Sequence, residues 1–178
     1  GKFSFTMKLA EAKKAAILHE LAPPPPPRER ELLLRVDSLA WLPKIFFQRV
    51  DTLILALTLE EAATLDLARP FLQKNIAKIA LQLPLFIPEG RQAAWRSLCK
   101  KLAAAGLTRF VLSQPGQLHL LPEGKGVTLL AGEDAYRLND AAAAALRAQG
   151  FATGILPLEN DLANLEATRD RTGIVPLY

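Results

Sequence analysis

The chain has 178 residues, of which half are hydrophobic and 22% are charged. This balance excludes a disordered chain and leaves room for one domain with a sizeable core. No apolar run reaches the ~18 residues that a membrane-spanning helix needs. The formal charge of +4 comes from scattered basic residues, which does not favour a nucleic-acid-binding run. Cys99 is the only cysteine, so no internal disulfide can form, and a reducing, cytoplasmic compartment is expected.

The first 27 residues form a predicted unit of their own. Apolar residues at helical spacing over residues 7–21 predict a helix, which has to end before the prolines Pro23 to Pro27. That proline run predicts a stiff polyproline II spacer, and a docking ligand for an aromatic groove is the alternative. We therefore expect a helical arm and linker over residues 1–27 and an α/β domain over residues 28–178.

Short apolar runs then alternate with capped helical segments. The predicted strands cover residues 32–36, 50–57, part of 76–87, 109–112, 117–121, 127–130, 153–158 and 174–177. The predicted helices cover residues 39–48, a segment capped by Thr58, 91–105, 141–149 and 162–169, and a turn at residues 122–126 joins two of the strands. This order predicts a mainly parallel sheet of repeated strand–helix units, which forms a partial or complete TIM-barrel-like fold. An open, doubly wound sheet is the alternative.

The sequence contains no self-sufficient catalytic motif. Gly-x-Gly-x-x-Gly, the P-loop pattern and Gly-x-Ser-x-Gly are all missing, which argues against dinucleotide, P-loop and serine-hydrolase sites. Neither His19 nor His119 has a partner at metal-binding spacing, so no metal site is expected. We expect His119 to be a packed or edge residue of a strand and Cys99 to belong to the core.

Polar residues at the predicted strand ends are the candidate site. Ligands of parallel α/β sheets bind at the carboxyl ends of the strands, where this sequence places Asp37, Asn139, Glu159 and Asn160. Helix capping is the competing explanation for most such residues. Glu159 is the one that capping explains least, because it precedes the expected cap by two residues.

Several segments resemble the collagenase-like peptidase family of unassigned catalytic type, number thirty-two in that class. Arg35-Val36-Asp37-Ser38, followed by residues 50–54, resembles the repeated strand–helix–strand unit of that family. Residues 79–84 resemble its strand that ends in Leu-Pro, and residues 133–139 resemble its Asp-Tyr-x-Leu-Asn segment. Residues 156–161 and 173–178 resemble two later strands. Tyr136 lies in a matching segment and joins the candidate site.

The resemblance implies a TIM-barrel-like fold and a bacterial protein. It also implies either protease activity or a role in hydroxylating RNA bases or quinone precursors. The hydroxylation branches carry iron–sulfur clusters held by cysteines, whereas Cys99 is alone here and Pro157 replaces a serine of the family pattern. We expect no cofactor in this chain, and an iron–sulfur cluster only if cysteines follow Tyr178. The expected function is that of a family fragment that is inactive alone, with unassigned catalytic residues. The alternative is a non-enzymatic α/β binding module for a partner protein or RNA.

Overall fold

The computed structural model describes residues 31–123, 126–157, 162–170 and 172–177. Within these ranges six parallel strands lie side by side in the order of the sequence, and the sheet curls into half of a barrel. The predicted mainly parallel, partial-barrel α/β fold is confirmed. A doubly wound sheet would reverse its strand order part-way, which this sheet does not do. The predicted helical arm and polyproline spacer lie outside the described residues.

The strands are short and the helices lie between them. The strands are β1 Leu33–Val36, β2 Thr52–Leu55, β3 Ile79–Gln82, β4 Arg109–Leu112, β5 Thr128–Ala131 and β6 Phe151–Gly154. The α-helices are α1 Leu59–Ala63, α2 Pro70–Asn75, α3 Glu89–Ala104, α4 Asp140–Ala148 and α5 Leu162–Ala167. The 3-10 segments are Leu39–Lys44, Phe47–Arg49, Ile76–Lys78, Pro115–Leu120 and Glu133–Ala135. No α-helix in the described part of the chain is long and apolar enough to cross a membrane.

Residues 117–121, which were predicted as a strand, form part of a 3-10 segment. Pro115 opens that segment, and the Gln117 side-chain oxygen accepts hydrogen bonds from the backbone N–H groups of Ser113 (3.0 Å) and Gln114 (3.4 Å). A side chain that folds back onto the preceding backbone in this way favours a turn over an extended strand. His119 is therefore exposed and does not lie in a strand, which corrects the prediction.

Three other boundaries differ from the predictions. Residues 39–48 form two 3-10 segments, because Pro43 interrupts the helical hydrogen bonds. Strand β6 begins two residues early, directly after Gly150, whose φ of 93° ends α4. In the predicted last strand, only Ile174 pairs, through a single parallel bridge to Ile155.

The register of the strands gives the sheet two different faces. Large side chains such as Leu53, Leu81 and Phe110 point to the convex side and pack under the helices in the main core. The concave face carries a smaller apolar cluster, formed by Ile54, Ala80, Val111, Leu130 and Ile155. Both faces are apolar along most of each strand, as expected where a parallel sheet is covered on both sides.

A buried ion cluster fastens the segment after α5. The carboxylate of Asp170 lies 2.8 Å from Nη2 of Arg137 and also contacts Arg147, and only 1% of the Asp170 side chain is exposed. Burial alone raises the pKa of Asp170, but hydrogen bonds from Thr172 and the charge of Arg137 outweigh this and lower the pKa to about 2. Gly173 leaves the space for Arg137, because a Cβ at that position would collide with the guanidinium. We call Arg137, Arg147, Asp170 and Thr172 the clamp.

Candidate functional site

Three of the five predicted site residues lie in the described part of the chain. Asp37 follows β1, and Tyr136 and Asn139 lie between β5 and α4, so all three are at the carboxyl edge of the sheet. Glu159 and Asn160 lie outside the described residues, and their placement stays a prediction. Asn139 caps α4, because its side-chain oxygen accepts a hydrogen bond from the N–H of Ala142 at 2.9 Å.

The other two residues are exposed. The Asp37 carboxylate makes no hydrogen bond or ion pair with the described part of the chain, so it is open to a ligand or to water. Tyr136 is 57% exposed and adopts a left-handed backbone conformation with φ of 51°, which is uncommon for an aromatic residue. The structure places Asp37, Tyr136 and Asn139 on one rim, but no contact joins them.

An ion pair that the sequence reading missed spans this rim. Nη1 of Arg35 lies 3.2 Å from Oε1 of Glu133, although 98 residues separate them. Arg35 is on β1 opposite Ile54, a residue of the concave cluster, and Glu133 begins the segment after β5. The contact therefore crosses the concave face from the first strand to the fifth. A basic residue inside the apolar run Leu32-Leu33-Leu34-Arg35-Val36 was the available signal.

Gln82 brings an unsatisfied polar atom to the same face. It pairs with Val111 in the sheet, so its side chain points to the concave side in the carboxyl half of the strand. The side-chain oxygen is buried and has no hydrogen-bond partner in the described part of the chain. An unpaired buried acceptor costs free energy, and a donor on a ligand would satisfy it.

The loops around this face are fixed by their own hydrogen bonds. The Ser113 hydroxyl donates to the carbonyl of Leu83 at 3.1 Å, and the Gln117 amide donates to the carbonyl of Pro84 at 2.7 Å. Behind β1, Glu61 accepts hydrogen bonds from the Ser38 hydroxyl and the Leu39 N–H. These side chains act as structural ties, so the loops after β1, β3 and β4 form a firm rim.

Arg109 lies at the opposite, amino end of the concave face. Its Nη1 donates to the Thr52 hydroxyl at 2.8 Å, which links β4 to β2 beneath the apolar cluster. Desolvation lowers the pKa of Arg109, and the nearby charge of Glu31 acts in the opposite direction. A ligand would therefore approach the concave face from the carboxyl end.

The described residues do not fit a metal ion or an iron–sulfur cluster. Nowhere in the described ranges do three His, Cys, Asp or Glu side chains come together as ligands. Cys99 is fully buried in the main core, which confirms the expectation for it, and burial raises the pKa of its thiol to about 12. A thiol with that pKa does not supply the thiolate that metal binding requires.

Comparison of the chain with models of protein families, with characterised proteins and with solved structures finds no significant match. The resemblance to the collagenase-like peptidases is therefore neither supported nor contradicted by a relative.

Proposed function

We propose that this domain is a non-enzymatic binding module, and that its ligand binds at the carboxyl rim of the half-barrel, above the concave cluster. The Arg35–Glu133 pair carries the proposal, because it sets a cation and an anion facing each other over an apolar cluster. The unpaired oxygen of Gln82 adds an acceptor on the same face. These groups match a small zwitterionic ligand, whose acidic group binds Arg35 and whose amino group binds Glu133.

Because the Arg35–Glu133 ion pair is partly exposed, a ligand can replace it with little loss of protein stability. The side chains of Arg35 and Glu133 are 40% and 25% exposed, and ion pairs of this kind contribute only ~0–1 kcal/mol to stability. A ligand that replaces the partner of each side chain therefore gives up little and gains two charge-assisted hydrogen bonds. Asp170 and Arg137 of the clamp could not act in this way, because their side chains are only 1% and 4% exposed.

The proposal is tested with free amino acids and dipeptides as probes. We expect at least one of them to raise the melting temperature and to bind by calorimetry, and Arg35→Gln and Glu133→Gln each to weaken this binding at least about tenfold. The matched control is Glu60→Gln, which removes another ion pair, the one with Arg91 on the outer surface, and should leave binding unchanged. Failure of the whole panel to bind, or equal binding by all variants, would contradict the proposal.

A collagenase-like peptidase function is the second candidate, supported by the half-barrel architecture that the resemblance implies. Its test is incubation of the purified chain with gelatin and casein. Cleavage that disappears in Asp37→Asn or Glu159→Gln would favour the peptidase over the binding module. Stable substrates at high protein concentration would count against it.

A further inference from the structure

Strand β1 is the open edge of the sheet. It pairs with β2 on one side, and no described strand lies on its other side. The carbonyls of Leu32 and Val36 accept hydrogen bonds from Thr52 and Ala56 of the β2 segment. In a parallel ladder the bonded residues alternate, so Leu33 and Arg35 direct their backbone N–H and C=O groups outward. Such a row of unpaired groups can bind another extended chain.

An apolar groove runs beside this edge. It has a volume of about 800 Å³, and its lining includes Leu34, Val36, Trp41 and Phe46. Leu34 and Val36 pair with Leu53 and Leu55, which places the groove on the convex side of β1. Trp41 is 48% exposed and Phe46 is 80% exposed, so two aromatic rings offer apolar surface next to unpaired backbone groups.

The charge of the groove is mainly positive. Lys44 and Arg49 line it, and neither forms an ion pair with a carboxylate in the described part of the chain. The Lys44 ammonium lies 4.8 Å from the centroid of the Trp41 ring, so its partner is an aromatic face. The one acidic residue in the lining is Asp37. A partner that carries negative charge is therefore favoured over a basic one.

We propose that the β1 edge binds an extended, acidic segment of a partner protein, with apolar residues at alternate positions, by strand addition. The unpaired backbone groups of Leu33 and Arg35 form the hydrogen bonds to the backbone of the partner segment, and the groove accepts every second side chain of that segment. Lys44 and Arg49 select acidic residues among them.

A second copy of this chain does not fit the edge as well. Two copies that paired through β1 would each contribute a groove lined by Lys44 and Arg49, and like charge on both partners does not favour association. The other edge of the sheet already holds Ile174, which bridges Ile155. Charge and edge availability therefore both favour a different, acidic partner.

The probe is a fluorescein-labelled hexapeptide of alternating valine and glutamate. We expect it to bind by fluorescence anisotropy, more weakly as salt rises, and to change the emission of Trp41. In the variant Trp41→Phe, Trp95 is the tryptophan that remains. Because Trp95 is 2% exposed, the emission of this variant should not change when the peptide is added. Hydrogen exchange should slow at the amides of Leu33 and Arg35 on binding. A hexapeptide of alternating valine and lysine, which reverses the charge of the probe, should not bind. The valine–glutamate peptide with N-methylated backbone positions, which cannot donate all of its backbone hydrogen bonds, should bind poorly.

The charge contribution is separated from the fold by matched variants. The double variant Lys44→Glu with Arg49→Glu should weaken binding at least about fivefold. Its control, Lys74→Glu with Lys100→Glu, makes the same change in net charge at exposed positions away from the groove and should bind as the unchanged protein does. Equal binding of the lysine peptide, or unchanged exchange at Leu33 and Arg35, would overturn the proposal. The proposal would also be overturned if the protein associated with itself and the amides of Leu33 and Arg35 exchanged slowly without peptide. A second copy of the chain would then occupy the edge.

Discussion

The two edge strands of the half-barrel sheet, β1 and β6, differ in whether a further segment of the chain pairs with them. At the β6 edge, the Ile174 N–H donates to the carbonyl of Gly154 at 2.9 Å, and the Leu156 N–H donates to the carbonyl of Ile174 at 2.8 Å. The clamp holds the segment that leads to Ile174 in place. At the β1 edge no comparable segment is described, and Leu34, Trp41 and Phe46 are exposed beside unpaired backbone groups.

This difference shows where the chain uses its charges for structure. Asp170 and Arg137 of the clamp are almost fully buried, so each depends on the other and neither is available to a ligand. The charges near β1 are exposed, contribute little to stability and stay available for binding. The covered edge is therefore the structural one, and the open edge and the rim beside it are the places to look for function.

The largest expected effect is at the covered edge. Asp170→Asn leaves Arg137 buried with no compensating charge, so we expect the free energy of unfolding to fall by ~3–5 kcal/mol in urea titration. The control is Asp66→Asn, whose ion pair with Arg69 spans 3.8 Å on the exposed surface and should contribute at most ~0.5 kcal/mol. Equal losses in the two variants would mean that the clamp has no special role.

A smaller effect is expected on acidification. The pKa of Asp170 is about 2 in the folded protein and ~3.9 in an unfolded chain, so folding favours the charged form. Its contribution to stability is complete above the unfolded pKa and is lost as the pH falls from about 4 towards 2. The free energy of unfolding of the unchanged protein should therefore decrease more steeply over this range than that of Asp170→Asn. Parallel curves for the two proteins would contradict the lowered pKa.

The smallest effect is expected at the open edge. Phe46→Ser removes an aromatic ring that is 80% exposed, so the free energy of unfolding should change by no more than ~0.5 kcal/mol. The same measurement on Phe47→Ser is the matched comparison, because Phe47 is 6% exposed and packs edge-on against Phe71 at 4.9 Å between ring centroids. We expect a loss of ~3–5 kcal/mol for that variant. A large loss in Phe46→Ser would show that the β1 edge is covered in the folded protein.

The strength of the local signals explains which elements the sequence predicted well. Strand β4 was predicted with its observed bounds. Gly106 and Ser113 flank this short apolar segment, which leaves few other positions where the strand could begin or end. The cap Thr58 was also predicted, because a side chain that accepts a backbone N–H three residues on is a local interaction. Residues 117–121 were misread, because a five-residue segment with three leucines suits a strand and a 3-10 turn equally well.

The sequence by itself determined the alternation of strands and helices and the parallel pairing that follows from it, and it placed the polar candidate residues after the strands, at the carboxyl edge of the sheet. These features depend on periodicity and on caps, which act over a few residues. Only the tertiary structure decided which side chains meet there. The curl of the sheet brings Arg35 to Glu133 across 98 residues and Asp170 to Arg137 across α4, β6 and α5, and it leaves β1 open while Ile174 covers β6. Such contacts depend on how much the sheet twists and closes, and that is set by the packing of all its strands together.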